Sequence, residues 1–401
     1  MLAACGPGDN ASGVPTSPAS APSTTVAEST TAAQSTTTTE VVTTVPTLAA
    51  PIVPTGDPVV DAELLDLARF VEAQRGGPFL EQVDVRFLAD AEFEALVLAG
   101  LDDVAVLIAL RTQQQLLEAL GLLPEGTDLV ELVRVSQREG VIGLYQPSSG
   151  ELWVRGTDAT PLVRITIVHE LVHAWDDQWF HLESIDAHDA DAQFAVSALA
   201  EGSATWFEDV YRGQMSPADV AAAAAEARAF WDQYESPDWP TSVTELSESV
   251  YTLGRSFVQR LLSEGGTGAL DAAFEHPPAS TEHLLHPDRY LAGHRPIDVD
   301  EPDVEGNVLV DDVMGEWGLI ELLNAELAPS DARRAAEGWA GDRYVLSEVG
   351  GEECVTMLIV TDTEVDGDEL ALAAQRWVAR ASGANTDRID ATTVRLVACS
   401  V

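Results

Sequence analysis

The chain has 401 residues, of which 67 are acidic and only 21 are basic, so its formal net charge is −46. A surface this acidic is repelled by nucleic acids and by anionic membrane surfaces, which argues against both as partners. The length suffices for one large domain or for two lobes around a sizeable core.

The N-terminal segment, residues 1–56, is rich in Ser, Thr, Pro and Ala and cannot bury a core, which is typical of a tether. It opens with MLAAC, in which Leu-Ala-Ala-Cys has the form of a bacterial lipoprotein cleavage box ending at Cys5. A complete export signal places a basic segment and an apolar run before such a cysteine. We therefore expect a start site upstream of Met1, lipidation of Cys5, and a protein anchored on the outer face of the membrane or secreted. The alternative is a chance resemblance in a cytosolic protein.

From Asp57 the sequence takes on the patterns of a folded domain. Helical periodicity predicts a helix that ends at Gly76-Gly77, then a short strand VDVRFLA, then two helices in residues 90–121. Two alternating segments around a Pro-Ser-Ser-Gly turn predict a β-hairpin over residues 140–156.

The next stretch, ITIVHELVHAWDDQ, places His169 and His173 four residues apart, with Glu170 directly after the first. On a helix, residues i and i+4 lie on one face, about 5–6 Å apart at Cβ. Both imidazoles can therefore bind one tetrahedral metal ion, while Glu170 can reach a water molecule beside it. The surrounding run LVRITIVHELVHAW is apolar nearly all round, as in a buried helix. The pattern predicts a zinc site, and two unrelated histidines are the alternative.

A catalytic zinc site needs a third protein ligand and an open position for water. His181 would lie about 12 Å along a continuous helix from the second histidine, too far to share the metal, whereas His188 stays possible on a loop. Glu201 is the better candidate, because the small residues of SALAEGSATW let two helices approach closely. A routine helical glutamate is the alternative, since the nearby Glu208 is an acid of no evident role.

A further helix is predicted over residues 189–212, and several helices follow. The strands GDRYVLSEV, CVTMLIVTD and TTVRLVACS, with the helix GDELALAAQRWVARA before the last, predict a small C-terminal β-β-α-β lobe. Cys354 and Cys399 lie in two of these strands, and a disulfide between them is plausible outside the cytoplasm. Two buried free thiols are the alternative.

With these motifs, the chain resembles the gluzincin metallopeptidases, the thermolysin-like group with His-Glu-x-x-His and a glutamate from a downstream helix. It looks most similar to a family of uncharacterised bacterial zinc peptidases with the pattern H-E-L-x-H-A-x-x-D-Q followed by E-G-x-A. The matching residues are His169, Glu170, Leu171, His173, Ala174, Asp177, Gln178, Glu201, Gly202 and Ala204. The likeness continues through YTLGRSFVQRLL, PPASTEHLLHPDRY and AAEGWAGDRY, over about residues 60–370. The gap between the second histidine and the glutamate is longer than in thermolysin-like enzymes, and Ala340 replaces a glycine.

The resemblance implies an α+β, mainly helical fold. It would comprise a zincin-like catalytic domain at residues 57–335, with a small N-terminal sheet and long active-site helices, and the C-terminal lobe at residues 336–401. It implies Zn²⁺ bound by His169, His173 and Glu201. In zinc peptidases of this kind, a hairpin before the metal helix carries the edge strand that binds substrate, and the hairpin at residues 140–156 is placed to do so by analogy.

The resemblance also suggests supporting residues. Glu170 would be the general base, and Asp177, one turn past the second histidine, is a candidate to orient its imidazole. Thermolysin-like enzymes often keep an aspartate for this purpose where Thr205 stands here. Because gluzincins stabilise the oxyanion with a histidine or tyrosine from a later helix, His286 and Tyr290 are candidates for that role. Tyr251 is a third candidate, ranked below them.

Together these patterns predict an exported zinc metallopeptidase that hydrolyses peptides or proteins and meets the membrane only through its lipid anchor. One alternative is a surface-tethered binding or scaffold protein with a structural or vestigial zinc site. A second alternative is a zinc amidohydrolase that acts on cell-wall peptides. The intact Glu170 counts against the first alternative, because a structural zinc has no use for a base.

Overall fold

The computed structural model describes residues 50–233, 239–381 and 383–400, so Cys5 and residues 1–49 of the expected tether lie outside the described part. The fold is α+β and mainly helical, with two small sheets. The helices are α1 Pro58–Arg75, α2 Asp90–Ala99, α3 Val104–Ala119, α4 Leu129–Gly140, α5 Pro161–Phe180, α6 Ala190–Gln214, α7 Pro217–Trp231, α8 Thr241–Glu275, α9 Thr281–Leu285, α10 Pro287–Leu291, α11 Gly315–Asn324, α12 Pro329–Ala336 and α13 Glu364–Val378. The strands are β1 Asp84–Leu88, β2 Gly143–Gln146, β3 Glu151–Arg155, β4 Asn307–Asp312, β5 Trp339–Val349, β6 Glu352–Thr361, β7 Asn385–Arg388 and β8 Thr393–Cys399. None of the helices so described is both long and apolar enough to cross a bilayer.

Helix α5 runs through the middle of the larger core, and its ends follow from local sequence. The Thr160 hydroxyl accepts a hydrogen bond from the Val163 amide, and Pro161 occupies the first turn. The helix ends at Phe180 because His181 adopts a left-handed conformation, with φ 53°. Most residues between these ends are buried, as the apolar run predicts. Helices α1, α6 and α7 and strands β2 and β3 pack around α5.

The first sheet has the strand order β1-β3-β2, with β1 parallel and β2 antiparallel to the central β3. The hairpin predicted over residues 140–156 forms β2 and β3. Among the described strands β2 pairs with β3 alone, so its other edge is unpaired. The Arg155 amide bonds the carbonyl of Ile142, and in an antiparallel ladder alternate residues then direct their backbone groups outward. Gly143 and Tyr145 are the outward-directed residues of β2.

The second core lies between α11, α12, α13 and a five-stranded antiparallel sheet of order β4-β5-β6-β8-β7. This sheet begins at Asn307, which lies before residue 336, the expected start of the C-terminal lobe. The sequence patterns predicted neither β4 nor β7. Both are short edge strands rich in Asp and Asn, so they carry little of the apolar alternation by which a strand is recognised.

Cys354 and Cys399 lie directly opposite each other on β6 and β8 and are joined by a disulfide. The bond closes a loop with a sequence separation of 45.

Reduction of the Cys354–Cys399 disulfide is expected to lower the free energy of unfolding by about 4 kcal/mol, because the cross-link restricts the unfolded chain. Urea denaturation with and without dithiothreitol measures this change. A C354S/C399S double variant serves as the control, since reductant should not move its midpoint, and a wild-type midpoint equally indifferent to reductant would contradict the cross-link.

Candidate metal centre

Three side chains from α5 and α6 bring their ligand atoms together. The Nε2 atoms of His169 and His173 lie 3.1 Å apart, and Glu201 Oε2 lies 3.3 Å from the first and 3.6 Å from the second. Donor atoms at about 2.1 Å from a tetrahedral zinc ion are separated by about 3.4 Å. The three atoms therefore fit the coordination shell of one such ion. His181 ends α5, and His188 lies on the exposed loop beside Asp186, so neither joins this group.

Two contacts hold the helices in this register. The Asp176 carboxylate on α5 accepts hydrogen bonds from the Ser203 hydroxyl on α6, at 2.7 Å, and from the Arg75 guanidinium on α1, at 2.8 Å. On another face of α6, a Cβ built on Gly202 would lie 2.2 Å from the backbone of Gly254 on α8. The small residue beside Glu201 thus allows close approach to α8, rather than to α5 as the sequence suggested.

The site is buried, and it places one carboxylate beside two imidazoles. His169 is 2 % exposed and Glu201 is 4 % exposed. Burial raises the pKa of Glu201, but the adjacent imidazoles of His173 and His169 outweigh it and lower the pKa to about 2. The carboxyl group is therefore ionised at neutral pH, which is the form that binds a metal ion.

Glu208, to which the sequence pattern assigns no role, contacts one of the two histidines of the site. Its Oε2 lies 3.0 Å from His169 Nδ1, and its other oxygen pairs with Arg212. This contact fixes the ring so that Nε2 points at the other ligand atoms. Glu208 stands seven residues, or two turns, past Glu201 and so shares its helix face. The seven-residue spacing from Glu201 is the sequence signal by which Glu208 could have been found. Glu208 supplies the histidine-orienting carboxylate that was looked for at the position of Thr205.

Glu208→Gln is expected to weaken zinc binding about 10–100-fold, the usual effect of losing a carboxylate that orients a histidine ligand. Competition with a chromophoric chelator measures the affinity. Asp209→Asn provides the matched control, because Asp209 is the next residue and pairs with Arg255 instead. Equal zinc affinities in the two variants would show that the Glu208 contact does not act on the metal site.

Glu170, the residue after the first histidine, is buried against the edge strand β2. It is 2 % exposed, and its Oε2 accepts a hydrogen bond of 2.8 Å from the backbone N–H of Tyr145 on the edge strand β2. Its Oε1 has no hydrogen-bond partner among the described residues. A Cβ on Gly143 would lie 2.5 Å from Thr166 Cγ2 and 3.1 Å from Glu170 Cγ, so glycine lets β2 lie close against α5 here. A buried, unpartnered carboxylate oxygen is costly unless something else uses it.

The structure does not place Asp177 on the histidine that it was expected to orient. Its Oδ2 accepts the hydroxyl hydrogen of Tyr145, at 3.0 Å, and its Oδ1 accepts the backbone N–H of Leu182. Both oxygens are therefore occupied on the side of α5 that faces the hairpin and the following turn. The carboxylate that contacts an imidazole of the candidate site is that of Glu208 on α6.

His286 and Tyr290, the candidates for oxyanion stabilisation, are also engaged elsewhere. The ring of His286 bonds Glu316 at 2.9 Å, and the hydroxyl of Tyr290 donates to the carbonyl of His276 at 2.7 Å. Helix α9 begins where the Thr281 amide bonds Asp191, which is ten residues before Glu201 on α6, or about 15 Å along the axis. His286 and Tyr290 therefore make structural contacts around helices α9 and α10.

A second cluster brings Glu282, His283 and His294 together, but its polar atoms are used internally. His283 Nδ1 accepts the Ala279 amide hydrogen, and Nε2 lies 3.0 Å from the carbonyl of His294, to which it donates. Glu282 pairs with Arg289 and His294. Burial lowers the pKa of His283 to about 4, so the ring is neutral and bonded at both nitrogens. We assign this cluster a structural role.

Comparison with known proteins gives one match. Residues 306–398 match a family model described as a domain of unknown function, DUF8575. The matched region begins just before β4, ends within β8 and does not include the three metal-ligand candidates. No curated protein and no solved structure matches the chain.

Proposed function

We propose that the protein is a zinc-dependent peptidase with His169, His173 and Glu201 as the metal ligands and Glu170 as the general base. The observation that carries this proposal is the convergence of three ligand atoms within 3.6 Å beside a buried carboxylate with one unpartnered oxygen. A zincin-like architecture of the helical region and the likeness to gluzincins belong to the same proposal.

In the proposed hydrolysis, the ligands, Glu170 and Glu208 have different roles. A zinc ion bound by the three ligands would activate a water molecule and polarise the scissile carbonyl. Glu170 Oε1 accepts the proton of the attacking water and returns it to the leaving amine. Glu208 keeps His169 in the tautomer that presents Nε2 to the site.

The unpaired edge of β2 supports a peptide as substrate. Gly143 and Tyr145 direct backbone groups outward beside Glu170; because the Tyr145 N–H is donated to Glu170, an extended peptide would add to this edge through the other main-chain groups. Side-chain pockets are not required for this kind of binding, so it suits peptide chains of varied sequence.

The site argues against a purely structural zinc. Structural zinc sites are closed by four protein ligands, and the group of possible ligands in the described residues consists of two histidines and one glutamate. The free oxygen of Glu170 also has no purpose in a structural site. The amidohydrolase alternative shares every one of these residues.

We also propose that the protein acts outside the cytoplasm. The disulfide between Cys354 and Cys399 supports an oxidising compartment, and the lipoprotein-like sequence at Cys5 supports a lipid anchor there. The net charge of −46 is consistent with a protein that does not bind nucleic acid.

Metal analysis of the purified protein, combined with a peptide-library cleavage assay, tests the proposed function. We expect about one zinc ion per chain, and cleavage that a chelator abolishes and added zinc restores. A preparation that binds zinc stoichiometrically but cleaves neither library peptides nor cell-wall peptides would overturn the assignment as a hydrolase.

A further inference from the structure

Tyr145 makes two hydrogen bonds to the same helix. Its backbone N–H donates to Glu170 Oε2 at 2.8 Å, and its side-chain hydroxyl donates to Asp177 Oδ2 at 3.0 Å. The two acceptors are seven residues apart on α5, which is about two turns. Tyr145 is 6 % exposed, and its two bonds place its side chain along the surface of α5. The edge strand is thus attached to the metal-binding helix at two points.

We propose that Tyr145 and Asp177 are positioning residues, whose hydroxyl–carboxylate bond fixes the edge strand so that the Tyr145 N–H holds one oxygen of Glu170 and leaves the other without a protein partner among the described residues, available to act as the base. The proposal rests on the proposed function, because the orientation of Glu170 matters for activity only if Glu170 is the base. It assigns a role to the aspartate of the H-E-L-x-H-A-x-x-D-Q motif, which does not contact the metal ligands.

The anchor at Asp177 is itself held rigidly. Its second oxygen accepts the Leu182 amide hydrogen, which ties the carboxylate to the turn after α5. Burial and the charge of Asp177 raise the pKa of the Tyr145 hydroxyl, so the hydroxyl stays protonated and donates. The neighbouring Gln178 accepts the amide hydrogens of Leu80 and Glu81 through its Oε1. The Asp-Gln pair therefore fastens both the edge strand and the loop before β1 to α5.

The hydroxyl bond gives a short edge strand a further point of attachment to α5. Strand β2 has four residues and is paired on one side only. The terminal torsion of a glutamate side chain is broad, so its carboxylate is oriented by hydrogen bonds rather than by its rotamer. A misplacement of about 1 Å in a catalytic group can cost about 100-fold in rate. Loss of the hydroxyl bond would let β2 shift and would release the carboxylate.

Tyr145→Phe tests the proposal, since it removes the hydroxyl and keeps the ring. We expect faster hydrogen–deuterium exchange in the peptide that contains Gly143–Gln146, an unchanged zinc content, and a kcat about 10–100-fold lower, with a smaller change in KM. Tyr344→Phe is the matched control, because Tyr344 is a buried tyrosine of the C-terminal sheet. It should leave exchange in β2, zinc content and kcat unchanged.

Substitution of the partner gives a second, independent measurement. Asp177→Asn keeps an acceptor oxygen and should retain more activity than Asp177→Ala. The Y145F/D177A double variant should be no slower than the slower single variant, because both changes break the same bond. Multiplying effects, or unchanged exchange of β2 in Tyr145→Phe, would overturn the positioning role. If exchange in β2 rises in Tyr145→Phe but the wild-type protein cleaves no peptide, the proposed function is wrong. The structural conclusion that the Tyr145–Asp177 bond attaches β2 to α5 would still stand.

Discussion

Glu170→Gln is expected to lower peptide hydrolysis about 1,000-fold while the zinc content stays at one ion per chain. The loss follows from removing the base, since a positioned general base contributes about 10²–10⁴-fold. Glutamine has nearly the same shape, and its carbonyl oxygen can still accept the Tyr145 N–H, so the buried packing is kept. Steady-state cleavage of a peptide found in the library assay, with metal analysis of the same preparation, measures both quantities.

The change at Glu170 has a matched control on the surface. Glu264→Gln makes the same substitution on α8, where the side chain pairs with Arg260 and is 56 % exposed. This control should cleave as fast as wild type. If Glu170→Gln is equally active, Glu170 is not the base and the proposed mechanism fails. If Glu170→Gln loses zinc as well as activity, the carboxylate belongs to the metal site rather than to proton transfer.

Glu201→Ala is expected to reduce zinc affinity about 1,000-fold or more. One of three protein ligands supplies about a third of a binding free energy of about 10–16 kcal/mol. The variant should therefore lose its metal during dialysis, and activity should fall with it. Inductively coupled plasma mass spectrometry after dialysis reports the zinc content, and circular dichroism reports whether the fold is retained.

Two further variants separate ligand loss from unfolding. Glu201→Gln fills the same buried volume but has no charge, so it should keep the fold and lose most of the zinc. Glu264→Ala repeats the alanine change on the surface and should bind zinc normally. Full zinc occupancy in both Glu201 variants would remove this residue from the ligand set. The convergence of α5 and α6 would then need another explanation.

The local elements of the site could be predicted because short-range rules govern them. Thr160 and Pro161 mark the start of α5, and the apolar run fixes its burial. The i and i+4 spacing of His169 and His173 places both rings on one face whatever the rest of the chain does. Glu201 could be chosen by elimination and by its small neighbours, although Gly202 faces α8 rather than α5.

The supporting residues could not be predicted, because they depend on how distant elements pack. Glu208 reaches His169 only because α6 crosses α5 in one particular register. Tyr145 reaches Glu170 and Asp177 only because the hairpin lies against α5. From sequence spacing alone, Asp177 looked like a partner of the nearer histidine, which is a different role from the one it has.

The sequence by itself determined helix α5 and its neighbour α6, the hairpin, the placement of His169, Glu170 and His173 within about one turn, and the strands that carry the cysteines. Each of these is set by residue preferences and periodicities within a few turns of chain. Only the tertiary structure decided which carboxylate contacts His169, which strand edge faces Glu170, and that His286 and Tyr290 bond Glu316 and the carbonyl of His276. The reason is physical: these contacts join residues far apart in the chain, and the packing of α6 and of the hairpin against α5 places them together.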